Sequence, residues 1–196
     1  MQRDLPVRKH PRLKGYDYSK NGAYFITLCV KDGHEMLGTF VGRDVLIAPG
    51  IDINVPVMES PVAESVELSE YGDVVNKHIN KINLLCKGIL VDKYVIMPNH
   101  IHMIIIINHN EMLDCNNGAM KTSRPTSASV PSVMRSFKTM VTKEIGFSLW
   151  QDSYHDRIIR DENEYHTIWR YIDENPARWV NDKYYGQYNG QYNGGR

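Results

Sequence analysis

Net charge is missing from this chain, and so are paired cysteines and any long apolar run. The 23 Lys and Arg residues are balanced by 23 Asp and Glu, so no overall field draws the protein toward a polyanion. The three cysteines, Cys29, Cys86 and Cys115, are odd in number and form no Cys-x-x-Cys pair, which argues against a disulfide framework or a closed cysteine zinc site. Cys29 lies inside an apolar run and reads as a small core residue. No stretch approaches the roughly 18 apolar residues that span a bilayer, so no membrane partner is expected. The start, Met1-Gln2-Arg3-Asp4, has no apolar segment behind it, and the expected location is cytoplasmic. What is present is ordinary globular composition, 42% hydrophobic and 23% charged over 196 residues. That suffices for one domain with a core and is short for two.

The charge that cancels in the sum is segregated along the chain. Residues 1–20 carry six basic residues (Arg3, Arg8, Lys9, Arg12, Lys14 and Lys20) against Asp4 and Asp17. Residues 121–143 carry Lys121, Arg124, Arg135, Lys138 and Lys143 with no acid, whereas residues 44–76 carry seven acids and no Lys or Arg. A phosphate backbone senses a basic face, not a net charge. Ordinary solvated surface accounts for the same pattern equally well.

Residues 23–30, Ala-Tyr-Phe-Ile-Thr-Leu-Cys-Val, read as a buried strand. Residues 37–40 and 44–47 are candidates for a hairpin or a loose excursion, and 48–66, with Pro49, Pro56 and Pro61, for a loop or insertion. From Ser69, a plausible N-cap, Val74, Val75, His78, Ile79 and Ile82 keep helical spacing. Strands are expected over 89–97 and 100–107, with Pro98-Asn99 as the turn between them. A polar loop over 108–128 precedes a helix over 130–145, then a short strand near 156–160. A last helix opens at Asp161 and runs until Asn175-Pro176 stops it. The order strand, helix, strand, strand, helix, strand, helix fits an α+β ferredoxin-like plait, an antiparallel sheet with helices on one face, plus a C-terminal helix. One domain over 1–183 is expected; the tail 184–196, which repeats Gly-Gln-Tyr-Asn, reads as disordered.

His100 and His102 occupy positions i and i+2 of an otherwise apolar strand, so both imidazoles point to one face. Two such rings in an apolar setting need polar partners, which either a cation or nearby backbone groups provide. Tyr171 and Asn175 stand at i and i+4 of the last helix, stacked on one surface. Each feature alone has a plain packing explanation. Together they suit one reaction: two imidazoles and an amide oxygen leave a metal open positions for a phosphate. The phenol, with a free pKa of roughly 10, is a poor nucleophile until assisted. Its attack on a phosphodiester keeps the bond energy in a phosphotyrosine, so a second hydroxyl can reverse the step without ATP.

Met97-Pro98-Asn99-His100-Ile101-His102, preceded by Tyr94-Val95-Ile96, resembles the His-hydrophobic-His (HUH) motif of single-tyrosine transposases. Leu149-Trp150-Gln151-Asp152-Ser153-Tyr154, then Arg157-Ile158-Ile159-Arg160-Asp161-Glu162, then Tyr171-Ile172 with Asn175-Pro176, resemble the REP-associated tyrosine transposases. Gly22-Ala23-Tyr24-Phe25-Ile26-Thr27 and Leu37-Gly38 fit the same subgroup, so the likeness runs from about Arg8 to Val180. The resemblance implies a ferredoxin-like fold, Mg²⁺ or Mn²⁺ as cofactor, and cleavage of single-stranded DNA beside a hairpin formed by palindromic repeats. It maps His100 and His102 onto the metal pair, Tyr171 onto the nucleophile and Asn175 onto the third ligand. The acidic, proline-containing stretch 44–66 is longer than the motif order requires. An amide third ligand should bind metal more weakly than a carboxylate, and imidazoles favour Mn²⁺ over Mg²⁺.

Around this centre, Arg8, Lys9 and Arg12 are candidates for gripping DNA, with a frayed basic tail as the alternative; Lys138 is a phosphate candidate or a solvated helix lysine. Trp150 and Tyr154 suit base stacking less well than core packing. A homodimer is left open. Against the enzyme stand a hairpin-binding regulator that has lost transposition and a phosphoesterase that uses water while Tyr171 merely packs.

Overall fold

The computed structural model describes residues 13, 15–41, 65–85, 88–109 and 129–186. A four-stranded sheet is built from β1 (Gly22–Cys29), β4 (Ile89–Met97), β5 (His100–Ile107) and β6 (His155–Ile159), in the order β4-β5-β1-β6. All three pairings are antiparallel. With helix α1 (Glu70–Leu85) between β1 and β4, and α2 (Val130–Ile145) between β5 and β6, this is the expected β-α-β-β-α-β plait. Helix α3 (Glu162–Asp173) and a 3-10 turn, Pro176–Asn181, complete it. No helix among the described residues is long and apolar enough to cross a membrane.

The helices begin where local chemistry satisfies their free amide groups. Ser69 Oγ accepts from Gly72 N at the start of α1. Ser129 and Ser132 form a capping box on α2, and Asp161 accepts from Glu164 N on α3. Gly72 also lies so close to the chain at Leu37 that a Cβ there would stand 2.0 Å from the Leu37 carbonyl oxygen. Helix α1 docks on that segment by backbone.

Alternation along β5 divides the molecule into two halves. Ile101, Met103, Ile105 and Ile107 point into the main core with Tyr24, Ile26 and Leu28 of β1 and with Val75, Ile79, Val133 and Phe137 from α1 and α2. The register pairs Thr27 with His102 and Cys29 with His100, so those residues share the opposite face. On that face Ile104 meets Ile159 and the α3 residues Ile168 and Ile172. Trp150 and Tyr154 are buried members of the main core, in keeping with their packing role. Two helices thus cover one face, and the C-terminal helix covers the other.

Strand β2 (Gly38–Val41) pairs with β3 (Ser65–Leu68); the expected hairpin partner, residues 44–47, lies outside the described residues. Phe40 and Val66 both lean on the cluster of Cys29, Met97, Trp179 and Tyr184. Tyr184, the first residue of the expected tail, is buried in the same cluster, and residues 187–196 lie outside the described residues.

Candidate active site

Six polar residues are buried among the described residues, and five of them, Thr27, Asn99, His100, His102 and Asn175, gather at one end of the α3 face. The sixth, His78, pairs with Glu144 between α1 and α2. Buried polar groups cost free energy unless partnered, so the partners here decide what the cluster is for.

Asn99 fixes the first imidazole. Its Nδ2 donates to the Tyr184 carbonyl (2.8 Å) and the Gly33 carbonyl (3.3 Å). Its Oδ1 is thereby turned toward His100 Nδ1 at 2.8 Å. Nδ1 must carry the proton, which leaves a lone pair on His100 Nε2. His102 Nδ1 sits 2.8 Å from the Thr27 hydroxyl, and the two Nε2 atoms face each other across 3.1 Å. Both rings are held neutral: burial, helped by Lys183, lowers the His100 pKa to about 3, and burial also drives His102 well below the usual range, with His100 adding to it. The two facing nitrogens need a proton or a cation between them: either the single proton of neutral His102 sits on Nε2, or an ion takes its place. The donor set fits a divalent ion.

Tyr171 reaches this pair from α3. Its hydroxyl lies 3.2 Å from His102 Nε2 and 3.5 Å from Asp182 Oδ2, and its ring packs 5.2 Å from that of His102 and 6.0 Å from Phe25. Burial and the Asp182 carboxylate push its pKa up to about 12, against a hydrogen bond from Asn175 that pulls it down. Asn175, one helical turn on, directs Nδ2 to Asp182 Oδ2 at 3.3 Å, while its buried Oδ1 has no hydrogen-bond partner. Such an orphaned acceptor is unusual in a folded interior, and a cation would satisfy it.

The four residues read from the sequence, His100, His102, Tyr171 and Asn175, are therefore neighbours within a single chain. The others are not. Lys138 donates to the carbonyls of Gln151 and Asp152 from α2, the helix on the opposite face. Arg8, Lys9 and Arg12 lie outside the described residues. Three neighbours escaped notice. Asp182 places a carboxylate oxygen within 4.8 Å of the ligand nitrogens of both histidines, Tyr184 stacks 4.4 Å from the His100 ring, and Thr27 orients His102. Asn99 stood inside the quoted motif, where its turn role hid its side-chain role. Nothing in the sequence pattern marks Asp182.

No protein-family model matches the chain. The solved structure of a REP-associated tyrosine transposase bound to a REP hairpin is similar in fold, with a TM-score of 0.50 and 16% identity over 88% of this chain and 74% of that one. An uncharacterized protein of Haemophilus influenzae (strain Rd) is 31% identical over 189 residues, which covers 91% of this chain and 93% of the relative. The chain belongs to the family of that Haemophilus influenzae protein.

Proposed function

We propose that the protein is a metal-dependent single-stranded DNA endonuclease and strand transferase, a transposase of the HUH type. It would act at hairpin or palindromic repeats through a covalent 5′-phosphotyrosine on Tyr171. The observation that carries this reading is the 3.2 Å approach of the Tyr171 hydroxyl to His102 Nε2, beside two neutral imidazoles that face each other. The fold-level likeness to a hairpin-bound transposase supports hairpin DNA as the partner, by analogy alone.

Of the protein groups, His100 and His102 would hold the ion through Nε2, with the Asn175 amide oxygen as third ligand. A bound divalent ion, Mg²⁺ or Mn²⁺, supplies positive charge for the phosphate oxygens and the departing oxygen. Asn99 holds the His100 tautomer whose lone pair is directed inward, and Thr27 holds the His102 ring by a hydrogen bond at Nδ1. Tyr171, protonated at neutral pH by its raised pKa, gives its proton to water as Oη attacks phosphorus. The Oη–P bond forms, the P–O3′ bond breaks, and the 3′ oxygen takes a proton from water to leave as a hydroxyl. Attack by another 3′-hydroxyl reverses those bonds and joins strands.

Incubation with 3′-labelled hairpin DNA, Mn²⁺ and denaturing electrophoresis tests this. A labelled protein–DNA adduct that Tyr171→Phe abolishes is the expected result. Cleavage without an adduct means a water-using phosphoesterase, and binding with neither means a hairpin-binding regulator; both reject the proposal. Mn²⁺ is expected to support the reaction at least as well as Mg²⁺ because of the two imidazoles.

A further inference from the structure

We infer that Asp182 is the anionic ligand of this site, a fourth protein group that joins His100, His102 and Asn175; the inference rests on the metal reading above. The chain brings Asp182 there by a specific route. After α3, the 3-10 turn Pro176–Asn181 reverses direction, and Asp182 N closes it by donating to the Trp179 carbonyl at 3.0 Å. Trp179 anchors the turn, buried against Cys29 and Met97, with its ring 5.9 Å from that of His100. A residue eleven positions beyond the tyrosine thereby returns to the tyrosine's own hydroxyl.

The two carboxylate oxygens have separate tasks. Oδ1 accepts from Tyr184 N at 2.7 Å, which fixes the side chain. Oδ2 is turned inward, 3.5 Å from Tyr171 Oη and 3.3 Å from Asn175 Nδ2. A carboxylate oxygen has lone pairs beyond those two donors, and an Asp182 carboxylate oxygen lies within 4.8 Å of a ring nitrogen of each histidine. Asn175 serves at both ends: Nδ2 steers Asp182, and the orphaned Oδ1 is offered to the same centre. Two imidazoles and an amide form an uncharged set, so a divalent ion placed among them would keep its full charge in a largely buried site. Asp182 removes one unit of that charge and adds a hard oxygen donor, which favours Mg²⁺ and Mn²⁺ over softer ions. Asp182 thus makes good the weakness of an amide third ligand.

Calorimetric titration of MnCl₂ into the metal-free full-length protein, with electron paramagnetic resonance counting free Mn²⁺, tests this without reference to DNA cleavage. Asp182→Asn keeps the shape and the Oδ1 acceptor for Tyr184 N while it removes the charge. The wild type is expected to bind one Mn²⁺, His102→Ala none, and Asp182→Asn at least tenfold more weakly. A smaller loss in Asp182→Asn, with His102→Ala still defective, overturns the role of Asp182 and leaves the histidine site standing. A wild type that binds no Mn²⁺ overturns the metal reading itself, and this inference with it. Should Asp182→Asn lower the melting temperature in EDTA, the Mn²⁺-induced rise in Tm is compared between variants, and an equal rise overturns the inference.

Discussion

Strand β5 belongs to two different molecules, depending on the side from which it is viewed. Toward α1 and α2 it presents Ile101, Met103, Ile105 and Ile107, all buried in one apolar cluster. Toward α3 it presents His100 and His102 and then Ile104. Both histidines are as fully buried as the isoleucines beside them. Burial is therefore equal on the two faces, and what differs is whether each side chain can be satisfied by contact alone. On the apolar face it can. On the other, interlocked hydrogen bonds with Asn99, Thr27 and Tyr171 hold the two facing nitrogens in place, and the buried Asn175 Oδ1 has no hydrogen-bond partner. The β5 side chains of the α3 face therefore depend on polar partners that those of the other face do not need.

Single substitutions on the two faces should fail in different ways. His102→Ala, on the α3 face, is expected to abolish the covalent DNA adduct while the protein stays folded, as followed by circular dichroism. Met103→Ala, its neighbour on the other face, is expected to cost about 2–5 kcal/mol of stability, read as a lowered urea midpoint. Below that midpoint it should retain adduct formation per folded molecule. If Met103→Ala removes the adduct under conditions where the protein is folded, the division between faces is not a division of labour.

The sequence revealed the periodic half of this picture more readily than the converging half. Two-residue alternation marked His100 and His102 as neighbours, and helical spacing joined Tyr171 to Asn175, because both relations are local and follow from backbone geometry. The strand-and-helix order pointed to the plait for the same reason. The pairing of 38–41 with 65–68 bridges a long intervening stretch that no local spacing spans, and the nearer candidate, 44–47, falls outside the described residues. Asp182 and Tyr184 depend on where a 3-10 turn sends the chain, and no period records that. Asn175-Pro176 announced the end of a helix. It carried no information about the direction taken afterwards.

A finer probe compares partners of adjacent β1 residues. Thr27→Val removes the hydroxyl beside His102 Nδ1 with little change in volume, and it is expected to weaken Mn²⁺ binding about 10–100-fold, as loss of a residue that orients a ligand does. Ile26→Val, one residue earlier and buried on the apolar face, should cost about 0.5–1.5 kcal/mol and leave Mn²⁺ affinity unchanged in the same titration. Equal Mn²⁺ affinity in Thr27→Val and wild type would show that the His102 orientation does not depend on its hydrogen bond.

The smallest effect concerns where DNA lies. Each lysine or arginine that neutralises a phosphate contributes about 0.7–0.9 to the slope of log affinity against log salt. Neutralising Arg8, Lys9 and Arg12 together is expected to flatten that slope measurably for hairpin DNA, in fluorescence anisotropy between low and moderate salt. Lys138→Met is expected to leave it unchanged. The ammonium of Lys138 already serves two carbonyl oxygens of the Gln151-Asp152 segment, and burial lowers its pKa, so a phosphate would have to compete with contacts made within the fold. A lower slope for Lys138→Met would instead extend the DNA onto α2, the helix that covers the apolar face. The two sides of the sheet would then share the substrate even though only one of them holds the chemistry.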